Sequence, residues 1–368
     1  MQALILAGGQ ATRLRPLTSR VPKMVVPLVG RPFISYMLEW LRSHGVDDVV
    51  ISCGFLADGV RAVLGDGSQF GVRLRYVDEP EPLGTGGALK FAEEFLDERV
   101  FVLNGDVLTD IDLTAQLAQH EQTGARATLA LVGVEDPSAY GVVHCRADTS
   151  VEEFLEKPGP EQALDSNLVN AGAYIIEREV LGGMAPAGSV SSIERDLFPT
   201  LVDAGLHGYC AGGYWLDIGT PERYLRASFD IMEGNVATSV GRRLAAASMR
   251  LADGAVIAGR LIGQAVLGDQ CEIGAGAIVG GSVVLGQGVK VGAGARIERS
   301  VLLDGSSVGA RTQISGAIIG AGAQIGTHCH ISDGAMLGEA VRLGARNTLT
   351  AGVRIFPEVT LPEGAIRF

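Results

Sequence analysis

From Leu261 onward an aliphatic residue returns at every sixth position: Leu261, Leu267, Ile273, Val279, Leu285, Val291, Ile297 and Leu303. The frame slips by one at Val308, runs to Ile314, and slips again at Ile319. It then holds through Ile325, Ile331, Leu337, Leu343, Leu349, Ile355 and Leu361. The next residue is most often glycine, as in LGDQCE, IGAGAI and VGAGAR. One inward aliphatic and one small turn residue per six positions predicts a parallel β-helix solenoid, left-handed, over residues 251–368. A flexible glycine-rich linker would lack the fixed aliphatic beat.

Up to about Gly234 the pattern is of another kind. The runs ALILAGG, DVVISCG, RLRYVDE, RVFVLNGD and ATLALVGV read as strands, rich in Val, Ile and Leu and ended by Gly, Asp or Asn. Amphipathic segments such as PFISYMLEWLRSHG lie between them, with Gly45 placed as a C-cap. The alternation predicts an α/β domain over 1–234 with a mostly parallel, doubly wound sheet and ligands at the carboxyl ends of its strands. Residues 221–250 read as a helix plus connector, with the connector at 235–250 and the second domain from 251.

Two strand ends carry chemistry. After the first strand comes AGGQATRLRPLTSRVPK, Ala7 to Lys23. It is not a Walker loop, which needs Gly, four residues, then Gly-Lys-Ser/Thr. It is not a dinucleotide fingerprint either, because Thr12 stands where the third glycine belongs. The physics of a phosphate site survives: glycines past a strand admit an anion to backbone N–H groups, and Arg13, Arg15 and Lys23 can neutralise it. The second end, NGD, supplies a carboxylate.

Composition narrows the partners. The 368 residues are 47% hydrophobic and 20% charged, enough for two domains with real cores. A net charge of −12 argues against nucleic acid as a partner. The 5 cysteines are scattered and form no Cys-x-x-Cys pair, as idle thiols of a reducing compartment would be. No start typical of a signal peptide and no bilayer-length apolar run is present, so a cytoplasmic enzyme without membrane contact is expected.

The segment LAGGQATRLRPLTSRVPKMVVPL resembles the signature of sugar-1-phosphate nucleotidyltransferases, also called nucleotide-sugar pyrophosphorylases. The resemblance continues in order through EPEPLGTGGAL at 79–89, VLNGDVLTD at 102–110, YGVV at 140–143, EKP at 156–158, VNAGAY at 169–174 and YWLDIGTPERY at 214–224. It covers nearly the whole chain, hexapeptide tail included, and is most similar to the mannose-1-phosphate guanylyltransferase branch. The implied fold is a Rossmann-like nucleotidyltransferase domain followed by a left-handed β-helix. The implied reaction is NTP plus sugar 1-phosphate giving NDP-sugar and pyrophosphate, with GTP and mannose 1-phosphate as that branch's substrates.

Such a reaction needs no protein nucleophile, because the sugar phosphate itself attacks the α-phosphorus; it needs positioning and charge neutralisation. The resemblance implies that Arg13 and Lys23 hold the triphosphate and Lys157 the sugar phosphate. Asp106 and Asp217 match the family's metal ligands, and Mg²⁺ suits one or two carboxylates plus phosphate oxygens. Leu6, Ala7, Gly8, Gly9 and Thr12 are implied as nucleotide-binding. So are Glu79, Gly84 and Thr85, together with Asn104 and Gly105. Gly141, Glu156, Asn170 and Gly172 are implied on the sugar-phosphate side.

The resemblance puts Glu79 near the nucleobase, where other branches often carry glutamine. A carboxylate accepts hydrogen bonds without donating, which matches the adjacent N1–H and 2-amino donors of guanine better than thymine, uracil or adenine. Glucose-1-phosphate thymidylyl-, uridylyl- or adenylyltransfer remain the alternatives.

Each residue also has a plainer reading. Asp106 could cap a turn, Asp217 could cap the helix begun at Pro221, Arg15 could be a solvated arginine, and Glu79 a solvated residue beside Pro80. Ala11 departs from the family, which usually has glycine there; if the position needs φ > 0, alanine costs about 1 kcal/mol. Two other classes of function compete. An acyltransferase would use His328 or His330 in the repeats as general base, but the tail has no long loop insertion to shape an acceptor pocket. A non-catalytic regulatory subunit would have no need of Arg13, Lys23, Asp106, Lys157 and Asp217 together. The regular tail is expected to support a homo-oligomer, a dimer at least.

Overall fold

The computed structural model describes residues 1–9, 11–54, 56–159, 166–247, 249–251 and 253–367. The chain divides into two compact units, Met1–Gln10 with Ile34–Trp215, and Ala11–Phe33 with Leu216–Phe368. Among the described residues no helix is long and apolar enough to cross a membrane.

The first unit is built on a sheet of 9 strands. They are β1 (Gln2–Ala7), β2 (Asp48–Cys53), β3 (Arg73–Asp78), β4 (Arg99–Asn104), β5 (Ala127–Gly133), β6 (Gly141–Cys145), β7 (Val151–Glu156), β8 (Leu168–Glu177) and β9 (Leu206–Cys210). The spatial order is β7-β6-β8-β4-β1-β2-β3, with β5 pairing both β8 and β9. β4, β1, β2 and β3 run parallel, whereas β8 is antiparallel to β4 and β5. The parallel part is the doubly wound sheet that the strand–helix alternation predicts.

β1, β2 and β4 are buried on both faces, as their near-continuous aliphatic runs require: Leu4, Ile5, Val50, Ile51, Val100 and Val102 are each 0% exposed, while the edge strand β3 is partly exposed. The helix Ile34–Ser43 ends as expected. Val46 N–H bonds to the Leu41 carbonyl and Gly45 N–H to that of Arg42, with Gly45 at φ 75, which is a Schellman motif.

In the second unit three parallel sheets of 7, 7 and 6 strands stack coil upon coil, as in a left-handed β-helix. The aliphatic beat lines the interior, from Leu267 through Ile273, Val279 and Leu285 to Leu349. One position differs from the sequence reading. Leu285 pairs with Leu302, and Leu302 with Ile319, so Leu302 and not Leu303 takes the inward place. The frame therefore shortens one corner earlier, at the turn holding Arg299 (φ 42), and again at the turn holding Gly316 (φ 62). Each short corner has one residue in the left-handed region, whereas the full-length corners at Gly281–Ser282 and Asp333–Gly334 have two in succession.

The helices Pro221–Glu233 and Ser239–Ala247 precede the coils. His328 and His330 are both exposed, His328 at a left-handed corner and His330 in a strand.

Candidate active site

Leu6 of β1 pairs with Asn104 of β4, so the carboxyl ends of the two strands lie side by side. The chain leaves β1 on one side through β2 and β3, then crosses to β4 on the other. That reversal is the switch point at which open α/β sheets bind ligands. Leu6, Ala7, Gly8 and Gly9 follow one strand end; Asn104, Gly105 and Asp106 follow the other. Gly105 N–H bonds to the Leu6 carbonyl at 3.0 Å, which ties the ends together. A Cβ at Gly105 would lie 2.9 Å from that carbonyl, so only glycine fits. Asp106 sits half-buried in the turn before the strand Val107–Thr109.

Glu79 lies against the glycine loop and is 8% exposed, so it is not the solvated residue of the plainer reading. Ser52 Oγ donates to its Oε1 at 2.9 Å and Leu83 N–H to its Oε2 at 3.2 Å. A Cβ on Gly8 would lie 2.9 Å from Oε1, so the glycine lets the carboxylate approach the strand end. Past Glu79, the helix Gly84–Phe91 presents Gly84 and Thr85.

Thr85 Oγ1 donates to Glu194 Oε2 at 2.7 Å, Tyr174 O–H lies 3.4 Å from Glu194 Oε1, and Asn170 Nδ2 donates to the Tyr174 hydroxyl at 2.8 Å. Burial, then the Glu194 carboxylate, push the Tyr174 hydroxyl well above the usual phenol range, so it stays protonated and donates. Asn170 and Gly172 belong to an irregular stretch of β8, where Gly172 N–H bonds to Asn170 Oδ1 at 2.9 Å. Gly172 (φ 72) also brings its backbone against Asn104, whose Nδ2 would lie 2.7 Å from an added Cβ.

Glu156 ends β7 opposite Gly141 at the start of β6. Lys157, at φ 50, reaches Glu156 Oε1 at 3.3 Å; its side chain is 62% exposed, against 17% for Glu156. Tyr140 and Trp215 stack edge to face beside them, ring centroids 5.3 Å apart, and Trp215 Nε1 donates to the Ala171 carbonyl.

The second unit holds the remaining candidates. Thr12–Leu14 form one turn of 3-10 helix, opened by Ala11 at φ 45 and ψ 45. The position does adopt φ > 0. Thr18 Oγ1 and Leu14 N–H both donate to the Ala11 carbonyl, at 2.8 and 3.1 Å. Arg13 is exposed, and its Nη2 and Asp217 Oδ1 converge on Gly219, where an added Cβ would lie 2.9 and 3.2 Å from them. Lys23 Nζ lies 3.9 Å from Asp217 Oδ1, and Arg223 Nη1 donates to Asp217 Oδ2 at 2.8 Å. The cap of helix Pro221–Glu233 is Thr220, whose hydroxyl accepts from Arg223 N–H, and not Asp217. Arg15 is only partly exposed, unlike a solvated surface arginine.

Arg13, Lys23 and Arg223 thus converge on the neighbourhood of Asp217, and cationic side chains of this kind are the groups that bind a polyphosphate. Among the described residues no three His, Cys, Asp or Glu side chains form a metal cage.

The nucleotidyl transferase family profile matches residues 2–234, and the GMPPB C-terminal domain profile matches residues 261–366. The chain belongs to the nucleotidyl transferase family. A mannose-1-phosphate guanylyltransferase of Mycobacterium tuberculosis is 36% identical over 374 residues, 100% of this chain and 98% of the relative. Mannose-1-phosphate guanylyltransferase 1 of Arabidopsis thaliana is 33% identical over 96% of this nucleotidyl transferase and 95% of its own length. A UTP–glucose-1-phosphate uridylyltransferase of Synechocystis is 38% identical, but over 62% of each chain. Among solved structures, HddC from Yersinia pseudotuberculosis superposes with a TM-score of 0.53 at 28% identity, covering 62% of this chain and 98% of that one; it has also been solved with GMP-PN.

Four residues that contact the candidates within one unit or the other escaped the sequence reading: Ser52, Tyr174 and Glu194 in the first and Arg223 in the second. Tyr174 and Arg223 lie inside motifs already quoted, VNAGAY and YWLDIGTPERY. Ser52 and Glu194 carry no local signal, since their partners are 27 and 109 positions away.

Proposed function

We propose that this nucleotidyl transferase makes GDP-mannose from GTP and mannose 1-phosphate, releasing pyrophosphate. The observation that carries a polyphosphate substrate is the gathering of Arg13, Lys23 and Arg223 about Asp217 in the segment following the β1 glycines. The full-length likeness to mannose-1-phosphate guanylyltransferases supports the choice of substrates. The uridylyltransferase relative supports glucose 1-phosphate and UTP as a second reading, over a shorter stretch.

In this reading a phosphate oxygen of the sugar phosphate attacks the α-phosphorus. The new P–O bond forms as the α–β bond breaks, and its electron pair leaves on pyrophosphate. Arg13 and Lys23 bind the triphosphate and neutralise the charge that grows on the leaving group. Gly8, Gly9 and Thr12 offer backbone donors to the phosphates, and Leu6, Ala7, Asn104 and Gly105 shape the strand ends that receive the nucleotide. Gly84 and Thr85 flank the base, which Glu79 reads. Lys157 holds the sugar phosphate beside Gly141, while Glu156, Asn170 and the Gly172 backbone orient sugar hydroxyls.

Asp106 and Asp217 are hard oxygen donors of the kind Mg²⁺ takes; Asp106 follows a strand and Asp217 ends one. They are our choice of its ligands, and the ion would supply charge neutralisation at the phosphates. The domains run 1–234 and 251–368 with a connector at 235–250. The β-helix carries the contact of a homo-oligomer, and the enzyme works in the cytoplasm.

The test is a grid of GTP, UTP, dTTP and ATP against mannose and glucose 1-phosphates with Mg²⁺, read by pyrophosphate release. GTP with mannose 1-phosphate should give the highest kcat/KM. A higher value for any other pair would replace this assignment.

A further inference from the structure

Within the second unit the phosphate-binding turn is held by the last coils of the β-helix. Arg354, in the strand Arg354–Ile355, donates from Nη1 to two main-chain carbonyls, those of Arg13 at 2.8 Å and Arg15 at 3.1 Å. Four residues along the same coil, Glu358 receives both Nη1 and Nη2 of Arg20, at 2.9 and 2.8 Å. The two contacts grip the segment on either side of Leu17, one by its backbone and one by a side chain.

The gripped element is weak by itself. A 3-10 turn of three residues has two internal bonds, Leu14 N–H to Ala11 and Arg15 N–H to Thr12. Such short turns have strained hydrogen-bond geometry and little cooperativity. Its first residue is an alanine in the left-handed region, a conformation that alanine by itself disfavours. Arg13 projects from this turn, so its guanidinium is placed no better than the backbone beneath it.

We propose that Arg354 is a positioning residue for nucleotide binding and turnover, and that the β-helix thereby acts on the reaction itself by fixing the turn that carries Arg13. A guanidinium suits the task, since its charge-assisted donors bind carbonyls firmly and its planar fork is preorganised. The Arg20–Glu358 fork is exposed on both sides and contributes little to stability alone. Its role is to stop the segment swinging about the Arg354 contact. The proposal rests on the reading of Arg13 as a triphosphate ligand.

The experiment uses the full-length chain and steady-state kinetics with each substrate varied in turn. Arg354→Ala should lower kcat/KM for GTP about tenfold, with KM for mannose 1-phosphate changed less than about twofold. Thermal midpoint and light-scattering mass should match wild type, because Arg354 is exposed. Amide exchange over residues 12–17 should quicken in the apo enzyme, a readout independent of turnover. Arg354→Lys should recover part of the loss. Glu358→Arg should weaken GTP use, and the double swap Arg20→Glu with Glu358→Arg should restore it.

Wild-type GTP kinetics in Arg354→Ala would overturn the proposal. So would a loss shared equally by both substrates, or a loss that tracks a fallen thermal midpoint. Arg13→Ala, assayed alongside, separates the two readings: if it keeps wild-type kcat/KM for GTP, the ligand assignment fails and the brace falls with it. If Arg13→Ala is crippled while Arg354→Ala is normal, the brace alone fails.

Discussion

Replacing Glu79 by glutamine separates a base-reading carboxylate from a buttress of the fold. The side chain is 8% exposed and each oxygen already accepts one bond, from Ser52 Oγ and from Leu83 N–H. Glutamine can keep both. Its oxygen accepts from Leu83 N–H, and its amide donates to Ser52 Oγ, whose own proton rotates away. The fold loses only the charge assistance of these bonds, about 1 kcal/mol. Toward guanine the change is harsher, because an N–H replaces an acceptor and faces the 2-amino group or N1–H, leaving a donor unpaired. That costs about 1–3 kcal/mol, or roughly 5- to 150-fold in kcat/KM for GTP. Uracil and thymine, with a ring N–H beside a carbonyl oxygen, match an amide and should gain relative to GTP. The assay is kcat/KM for GTP, UTP, dTTP and ATP at fixed mannose 1-phosphate, with thermal midpoints taken in parallel. An unchanged GTP:UTP ratio in a folded variant would refute the reasoning and place base selection elsewhere. A large fall in midpoint with the ratio intact would make Glu79 a buttress only.

Asp106→Asn and Asp217→Asn should each lower turnover about a hundredfold at limiting Mg²⁺, the loss of one contact on developing charge being worth about 3 kcal/mol, while thermal midpoints hold; wild-type rates in both would remove the metal assignment. His120 is wholly buried between Thr128 and Glu177, and burial holds its imidazole below the ordinary 6.5, partly offset by its hydrogen bond to Glu177. A lowered folded value means that the unfolded chain binds the proton first, so stability is full above about pH 6.5 and falls as pH drops through the folded value. For Glu177, burial opposes its bonds from His120 and Arg99, which together hold it below 4.5, so its own loss begins at lower pH. Urea midpoints between pH 6.5 and 4.5 should therefore fall in wild type and fall less steeply in His120→Gln, the remainder coming in part from His44, which burial also lowers; parallel curves would exclude His120 as a source. Among the free cysteines, Cys210 is exposed, Cys145 is pushed up to about 11 and Cys53 to about 12 by burial, and Cys271 and Cys329 are buried. Native protein should show one fast thiol toward a disulfide reagent, abolished by Cys210→Ser, and rapid labelling of several would contradict the packing.

The tail was legible because its signal is periodic: one inward aliphatic per side of a coil must recur, whatever the residues between. The error at Leu303 has the same origin. Leu302 and Leu303 are both aliphatic, so the sequence leaves open which faces inward, and only the pairing of Leu285 with Leu302 decides. The doubly wound sheet was legible through β1, β2 and β4, whose aliphatic runs are buried on both faces, and through the strand β3 at its edge. The reversal between β1 and β4 was not, since strand order depends on which neighbour each strand finds. In the site, charged groups in short motifs were visible while the partners that orient them were hidden. Nothing local to Glu194 says that it collects the hydroxyls of Thr85, Ser192 and Tyr174.

Ala11 joins the local and the distant. Glycine would enter the left-handed region without steric cost, whereas alanine costs about 1 kcal/mol there. Alanine also has fewer unfolded conformations to lose, so part of that cost returns once the turn is held from outside. The Thr18 hydroxyl bonds the Ala11 carbonyl from seven residues on, and Arg354 bonds the Arg13 and Arg15 carbonyls from far along the chain. With those contacts present the strained conformation is the one the surroundings dictate, and the turn that carries Arg13 is fixed. Without them an isolated three-residue turn opened by alanine would leave the left-handed region readily. The departure from glycine at this position and the arginine in the last coils therefore belong to one device, whose two halves no local reading of the sequence could bring together.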